Sequence, residues 1–288
     1  MAAVLLACLS AVLFGSMTVV LRFALRRDRD AEAGSLVTVW GALVVCLAGA
    51  LIDPGRLSAS QLWPFFVVGM LAPGAAQLFF TRAIREAGAS RVSVTVGAAP
   101  LISVSIALVF LGEPLRAGLV AGAVLIVLGG VALIRERIRP ETFRWAGIGL
   151  AIVGTVLFST RDNIVRWLAG DTKVAPLAAA TTALVGGALF IVLYLTVTRR
   201  RPPLAGFGRD ALAGFGLAGI VFGLSYGSLF EAFYRGRVTV VSPLVATESL
   251  WGVLFSLLLL RRSELVSRHL LVGAALIVGG GVLIGATR

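Results

Sequence analysis

The chain has 288 residues, 58% of them hydrophobic and only 14% charged, with a formal charge of +12 and a mean hydropathy of +0.98. Soluble domains average roughly 45–50% apolar residues, so lipid rather than water is the expected solvent and a large soluble domain is excluded. The basicity does not indicate nucleic acid, because the 25 Arg and the single Lys173 are spread among short loops instead of one face; lipid headgroups and topology signalling account for them better.

A helix needs about 20 apolar residues to cross the hydrocarbon of a bilayer. Runs free of Asp, Glu, Lys and Arg occur at 2–21, 33–52, 57–81, 92–112, 117–134, 174–198, 211–230 and 270–287. Two further segments, 145–168 and 238–260, reach spanning length only by carrying ionisable residues into the membrane, and function is expected there. The prediction is an all-α integral membrane protein of ten transmembrane helices.

Trp63, Trp145 and Trp167 fall near predicted helix ends, where an amphipathic ring prefers the interface. Cys8 and Cys46 lie inside apolar runs away from any metal-ligand spacing, and the only histidine, His269, is in a loop, so neither a disulfide nor a metal is expected. Leu5-Leu6-Ala7-Cys8 faintly resembles a lipoprotein cleavage box and the first run a signal peptide, but neither has a basic leader and the run continues past Cys8.

The chain is internally duplicated. Residues 113–134 placed over 264–285 without a gap give ten identities in twenty-two, among them Glu113 with Glu264, Gly122 with Gly273 and Gly129 with Gly280. AVLFGSMTVVLRF from Ala11 similarly matches TVLFSTRDNIVRW from Thr155. Residues 1–135 form one five-helix repeat, 136–144 a linker and 145–288 the second repeat. Five crossings are an odd number, so the second copy enters the membrane from the opposite side, and inverted repeats are a recurrent way to build a transporter.

LVFLGEPLRAGLVAGAVLIVLGGVALI at 108–134 resembles the end of an EamA domain of the drug/metabolite transporter (DMT) superfamily, and Ala246 to Ile284 resembles its partner. The resemblance implies ten helices around a central cavity in the inner or plasma membrane and no cofactor. Its members are said to move amino acids, cationic drugs, sugars, nucleotide precursors and lipid-linked sugars. The chain departs from the pattern where Ser249 stands at about the place of Pro100, where Arg-Arg-Ser replaces the single Gly before Glu264, and in the polar TRDN at 160–163.

Candidate residues follow from cost. Glu248 is the eleventh residue of 238–260 and sits near mid-depth, where a lone charge costs several kcal/mol. It is a substrate contact or proton carrier, or else an acid hydrogen-bonded between helices. The sixth span has sixteen uncharged residues, Trp145 to Thr160, about 24 Å of helix, which brings Arg161 and Asp162 into or to the edge of the hydrocarbon. Asp162 and Arg166, four apart, are expected to pair on one face, leaving Arg161 in need of another partner: a permanent carboxylate or a transported anion.

Glu231 has Arg235 four residues on and is read as an interface pair or a proton-coupling site, as is Asp162. Gly219, Gly223 and Gly227 give a smooth face for helix packing, Pro100 is read as structural, and Gln77 and Tyr226 are weaker cavity candidates. Glu113 and Glu264 begin helices, where interface anchoring accounts for them. Gly223-Leu-Ser225-Tyr-Gly227 matches the hydrolase pattern G-x-S-x-G but lies in an apolar helix instead of a strand-to-helix elbow.

The function expected is a secondary transporter, monomeric or homodimeric, for a small metabolite such as an amino acid or organic anion. No P-loop surrounds the single lysine, so ATP does not drive it directly. A flippase for a lipid-linked or phosphorylated substrate is the alternative, with a membrane-embedded enzyme or a non-transporting subunit further behind. Alternate connections, beginning with the first, hold 17 Lys/Arg against 6 in the others plus the C-terminus, which places both termini outside by the positive-inside rule. The family resemblance implies both in the cytoplasm.

Overall fold

The computed structural model describes residues 1–28, 30–52, 59–110, 117–134, 143–198, 204, 207–236, 238–260 and 267–287. Every regular element among them is helical. The first repeat comprises α1 (Ala2–Arg27), α2 (Ala31–Ile52), α3 (Ala59–Gly69), α4 (Ala76–Ala87), α5 (Ala89–Val96), α6 (Ala99–Phe110) and α7 (Ala117–Ile134). The second comprises α8 (Trp145–Asp171), α9 (Pro176–Thr198), α10 (Arg209–Arg235), α11 (Val238–Val245), α12 (Glu248–Phe255) and α13 (Arg268–Thr287).

Among the described residues, six segments are long and apolar enough to cross a membrane: Ala2–Arg27, Ala31–Ile52, Ser60–Ala87, Trp145–Asp171, Pro176–Thr198 and Arg209–Arg235. Shorter apolar helices occupy Ala89–Ile102, Val120–Ala132, Glu248–Leu260 and Arg268–Leu283. Trp63, Trp145 and Trp167 are exposed on the outer surface.

Two boundaries differ from the sequence reading. The third apolar run is interrupted at Ala72 and resumes as α4, which continues to Ala87, and the fourth begins at Ala89, so Arg82, Arg85 and Arg91 lie on helices instead of in a loop. Charge-free runs understate helix length wherever the charges find partners, as these do. The turn is a single residue, Gly88, whose φ of 90° is the left-handed conformation that glycine adopts without a Cβ penalty. The second difference is that residues 92–112 and 238–260 are not continuous helices. The first breaks at Gly97-Ala98 and the second at Ala246-Thr247.

Small residues bring the halves together. Gly122 and Gly129 of α7 meet Gly273 and Gly280 of α13, the equivalent positions of the other repeat, at distances where an added Cβ would strike backbone. Gly219 and Gly223 of α10 lie against Thr38, Gly41 and Ala42 of α2, and Gly227 faces Leu177. Gly15 of α1 abuts Trp251 and Gly252 of α12.

Two faces can be defined. Arg144 donates its backbone N–H to the Glu86 carbonyl at 2.8 Å, and Arg27 approaches Asp210 at 4.0 Å. The end of α1, the end of α4 and the starts of α8 and α10 therefore share one face, here termed arginine-rich. Gly236 packs near Ala3, and Lys173 donates its N–H to Gln61 Oε1 at 3.3 Å, at the opposite or terminal face.

Candidate functional site

The two helix breaks face each other. Gly97, at the first, lies so close to Ser249, beside the second, that a Cβ there would sit 2.7 Å from the serine side chain. At these interruptions Gly97 and Thr247 keep right-handed helical angles, while hydrogen bonds three residues apart, as from Ala98 to Thr95 and from Ser249 to Ala246, replace some of the regular ones. Both interruptions border a cavity lined by Ser10 and Phe14 of α1, Ala99 and Pro100 of α6, Thr155, Phe158, Arg161 and Asp162 of α8, and Ser242, Ala246 and Glu248 around the second break. The space open to water centres is about 40 Å³, room for roughly three waters. The N-termini of α6 and α12 both border it, each carrying the positive end of a helix dipole.

Arg161 is the centre of the site. Its side chain is 5% exposed, its Nε lies 2.7 Å from Asp162 Oδ1, and its guanidinium carbon sits 5.2 Å from the Phe158 ring centroid and 5.0 Å from that of Tyr226. Two aromatic faces and one carboxylate hold the cation, and among the described residues Nη1 has no hydrogen-bond partner. Tyr226 in turn donates its hydroxyl to the Ala72 carbonyl at 3.4 Å, where Ala72 is extended between helical residues. Ser10 and Ser225 share hydroxyl contacts across α1 and α10, Oγ to Oγ at 3.1 Å. Glu248 is 6% exposed, and among the described residues no ion pair or side-chain hydrogen bond reaches its carboxyl.

The expected pairing of Asp162 with Arg166 is corrected. Asp162 pairs with its neighbour Arg161, because a long arginine side chain bends across the roughly 100° that separates adjacent residues on a helix. Arg166 donates from Nη1 to the Phe233 carbonyl at 2.8 Å and is not among the cavity-lining residues. Among the described residues the surplus cation expected in the sixth span is therefore absent from the cavity lining, whose ionisable groups are one guanidinium and two carboxyls.

The remaining candidates are distributed as follows. Glu231 binds Arg235 through Oε2, at 2.7 Å from Nε and 2.6 Å from Nη2, away from the cavity lining. Gln77 is buried against Thr81, to whose Oγ1 its Nε2 donates at 3.3 Å, and does not line the cavity. Pro100 does line it. Gly219, Gly223 and Gly227 pack α10 against its neighbours. Glu113 and Glu264 lie outside the described residues. Sequence reasoning missed Phe158 and Phe14, for which a phenylalanine in an apolar run carries no signal, and Ser10 and Thr155, visible only as polar residues inside spans.

Fold and site together describe a polytopic helical membrane protein of two repeats enclosing a charged central cavity. The model of the EamA-like transporter family matches residues 1–135 and 145–286. The chain belongs to that family, and is a membrane transporter of the drug/metabolite type. A solved structure titled "Crystal structure of protein" shares the fold at a TM-score of 0.68 and 23% identity, over 98% of this chain and 94% of that one. No curated protein matches.

Proposed function

We propose that the chain is a ten-span secondary transporter of the inner or plasma membrane. Two inverted five-helix halves would carry a small charged metabolite, such as an amino acid, by alternating access. The observation that supports this reading most is the cavity itself: Arg161 of α8 and Glu248 of the second broken helix share one small space, whose other walls are α1 and the first broken helix of the opposite repeat. Arg161 Nη1 is free to take a carboxylate, and Glu248 to take an ammonium or a proton. With both carboxyls ionised the lining carries one negative charge in excess, so a proton or a positive substrate group balances it. A purely anionic substrate requires Glu248 to stay protonated.

The test is reconstitution into liposomes with amino acids, organic anions and organic cations as radiolabelled solutes, with and without an imposed pH gradient. Saturable uptake that responds to the gradient and is lost in Glu248→Gln is expected. Uptake of no solute, or uptake indifferent to both, overturns the reading.

One observation favours a lipid-linked substrate as a second reading. An apolar groove of about 560 Å³, lined by Cys8, Val12, Leu250, Trp251, Leu254 and Leu271 among others, opens on the other side of the α1–α12 crossing from the cavity. Lipid scrambling by the same proteoliposomes would decide for it.

A further inference from the structure

Four phenylalanines from four helices meet beside the cavity. Phe14 of α1 lies 5.2 Å from Phe80 of α4, 6.1 Å from Phe158 of α8 and 6.3 Å from Phe222 of α10, and Phe80 lies 6.1 Å from Phe158, all between ring centroids. All four contacts are tilted or edge-to-face, the arrangements that aromatic quadrupoles favour. Each half supplies two rings. Phe14 and Phe158 occupy matching places in the duplicated segments VLFGS and VLFST, so the centre of the cluster is a residue meeting its own repeat partner.

The cluster has a defined depth. Phe14 lies 13 residues before Arg27, Phe158 13 residues after Trp145, and Phe222 13 residues after Arg209. At 1.5 Å per residue all three sit about 20 Å from the arginine-rich face. Arg161, Tyr226 and Ser10 come three or four residues further from that face on the same three helices, so the polar site lies on the terminal side of the rings.

A polar layer covers the cluster on its arginine-rich side. Arg82 binds Glu32 and donates to Tyr194 Oη at 3.1 Å, Arg22 Nη1 donates to the carbonyls of Ile84 and Arg85 at 3.1 and 3.3 Å, and Arg144 Nε approaches Glu86 Oε2 at 3.5 Å. One of these contacts, Arg82 with Tyr194, joins one half to the other, and Arg144 with Glu86 ties the linker just before α8 to the first half.

We propose that Phe14, Phe80, Phe158 and Phe222 are the gate that shuts the central cavity off from the arginine-rich face, and that the structure is the state closed on that side. The inference rests on the transporter reading, since a gate has meaning only where something passes. Passage toward the arginine-rich face then requires the Phe14–Phe158 contact to part, which moves α1 against α8, and requires the inter-half contact of the polar layer to release.

Access can be measured without knowing the solute. In a Cys8→Ser/Cys46→Ala background, Ser242→Cys places a thiol in the cavity lining, and a small charged methanethiosulfonate is added from one face at a time in sealed, oriented vesicles. With the phenylalanines intact, modification is expected from the terminal face only. Phe14→Ala/Phe158→Ala should raise the rate from the arginine-rich face at least tenfold, whereas Phe158→Leu, which keeps bulk, should not. A monodisperse Ala double variant that reacts no faster from that face overturns the proposal.

Should the double variant fail to fold, Phe14→Cys/Phe158→Cys joined by a short bismaleimide gives an independent reading. The tethered protein should remain open to the reagent from the terminal face and lose transport, and full transport while tethered overturns the gate. Reagent access that shifts as expected in a protein that moves no solute would instead count against the transporter reading.

Discussion

Glu248 and Arg161 are buried to a similar degree but held differently. The guanidinium has a carboxylate and two rings around it, while the carboxyl of Glu248 has no polar side chain bound to it among the described residues. Glu248→Gln therefore removes a charge or proton site without stranding a partner. We expect it to fold with a melting temperature near that of the parent, by fluorescence-detected size-exclusion chromatography after heating, and to lose at least tenfold of gradient-driven uptake together with its pH response. Arg161→Gln leaves Asp162 buried without its cation, and removing one partner of a buried pair costs about 3–5 kcal/mol. The same heating assay should show a large loss for Arg161→Gln and substantial recovery when Asp162→Asn is added. If the double variant is no better than the single, Arg161 supports the fold by other contacts. The charged members of this site were legible in the sequence because an ionisable residue in an apolar run has few reasons to be there. Their pairing was not, because spacing rules for helix surfaces rank Asp162 with Arg166 and do not describe a side chain turned inward by Phe158 and Tyr226.

At the scale of the helix, patterns of small residues predict packing well and breaks poorly. Gly219 was readable as part of a smooth face, and in the structure it meets the Thr38 carbonyl and Gly41 of α2. Backbone on the far side leaves nothing that can turn away. Gly219→Val should cost about 1–3 kcal/mol, the usual range for overpacking, seen as lower thermal stability in detergent; unchanged stability would mean that α10 and α2 separate freely. The interruptions at Gly97-Ala98 and Ala246-Thr247 carry weak signals. Pro100 stands one residue inside α6, a position proline favours at helix starts, but the second break has Glu248 and Ser249 at the corresponding place. Only a partner across the cavity makes the two breaks intelligible, and partners across space are what a single sequence conceals.

For the whole molecule, duplication and composition made the two halves legible, the segments at 108–134 and 246–284 carried the resemblance to the family, and orientation was left open. The arginine-rich face draws part of its charge from Arg82, Arg85 and Arg144, which are bound to Glu32 and Glu86. The positive-inside rule counts lysine and arginine and gives acids little weight, so by that count this face is expected to be cytoplasmic and both termini outside, against the family resemblance. A C-terminal fluorescent fusion that matures only in the cytoplasm should stay dark, and a bright fusion reverses the assignment and agrees with the family resemblance. A final consequence follows from the smallness of the cavity. A space for about three waters is smaller than a small amino acid, so on the transporter reading the molecule binds only when the cavity widens, and the thiol reagent enters from the terminal face by the same widening. The apparent dissociation constant for solute is the intrinsic one divided by the fraction of molecules that have swelled open. On the transporter reading, a mutation that merely loosens the helices around the cavity is expected to sharpen the apparent affinity without touching a single contact to the solute.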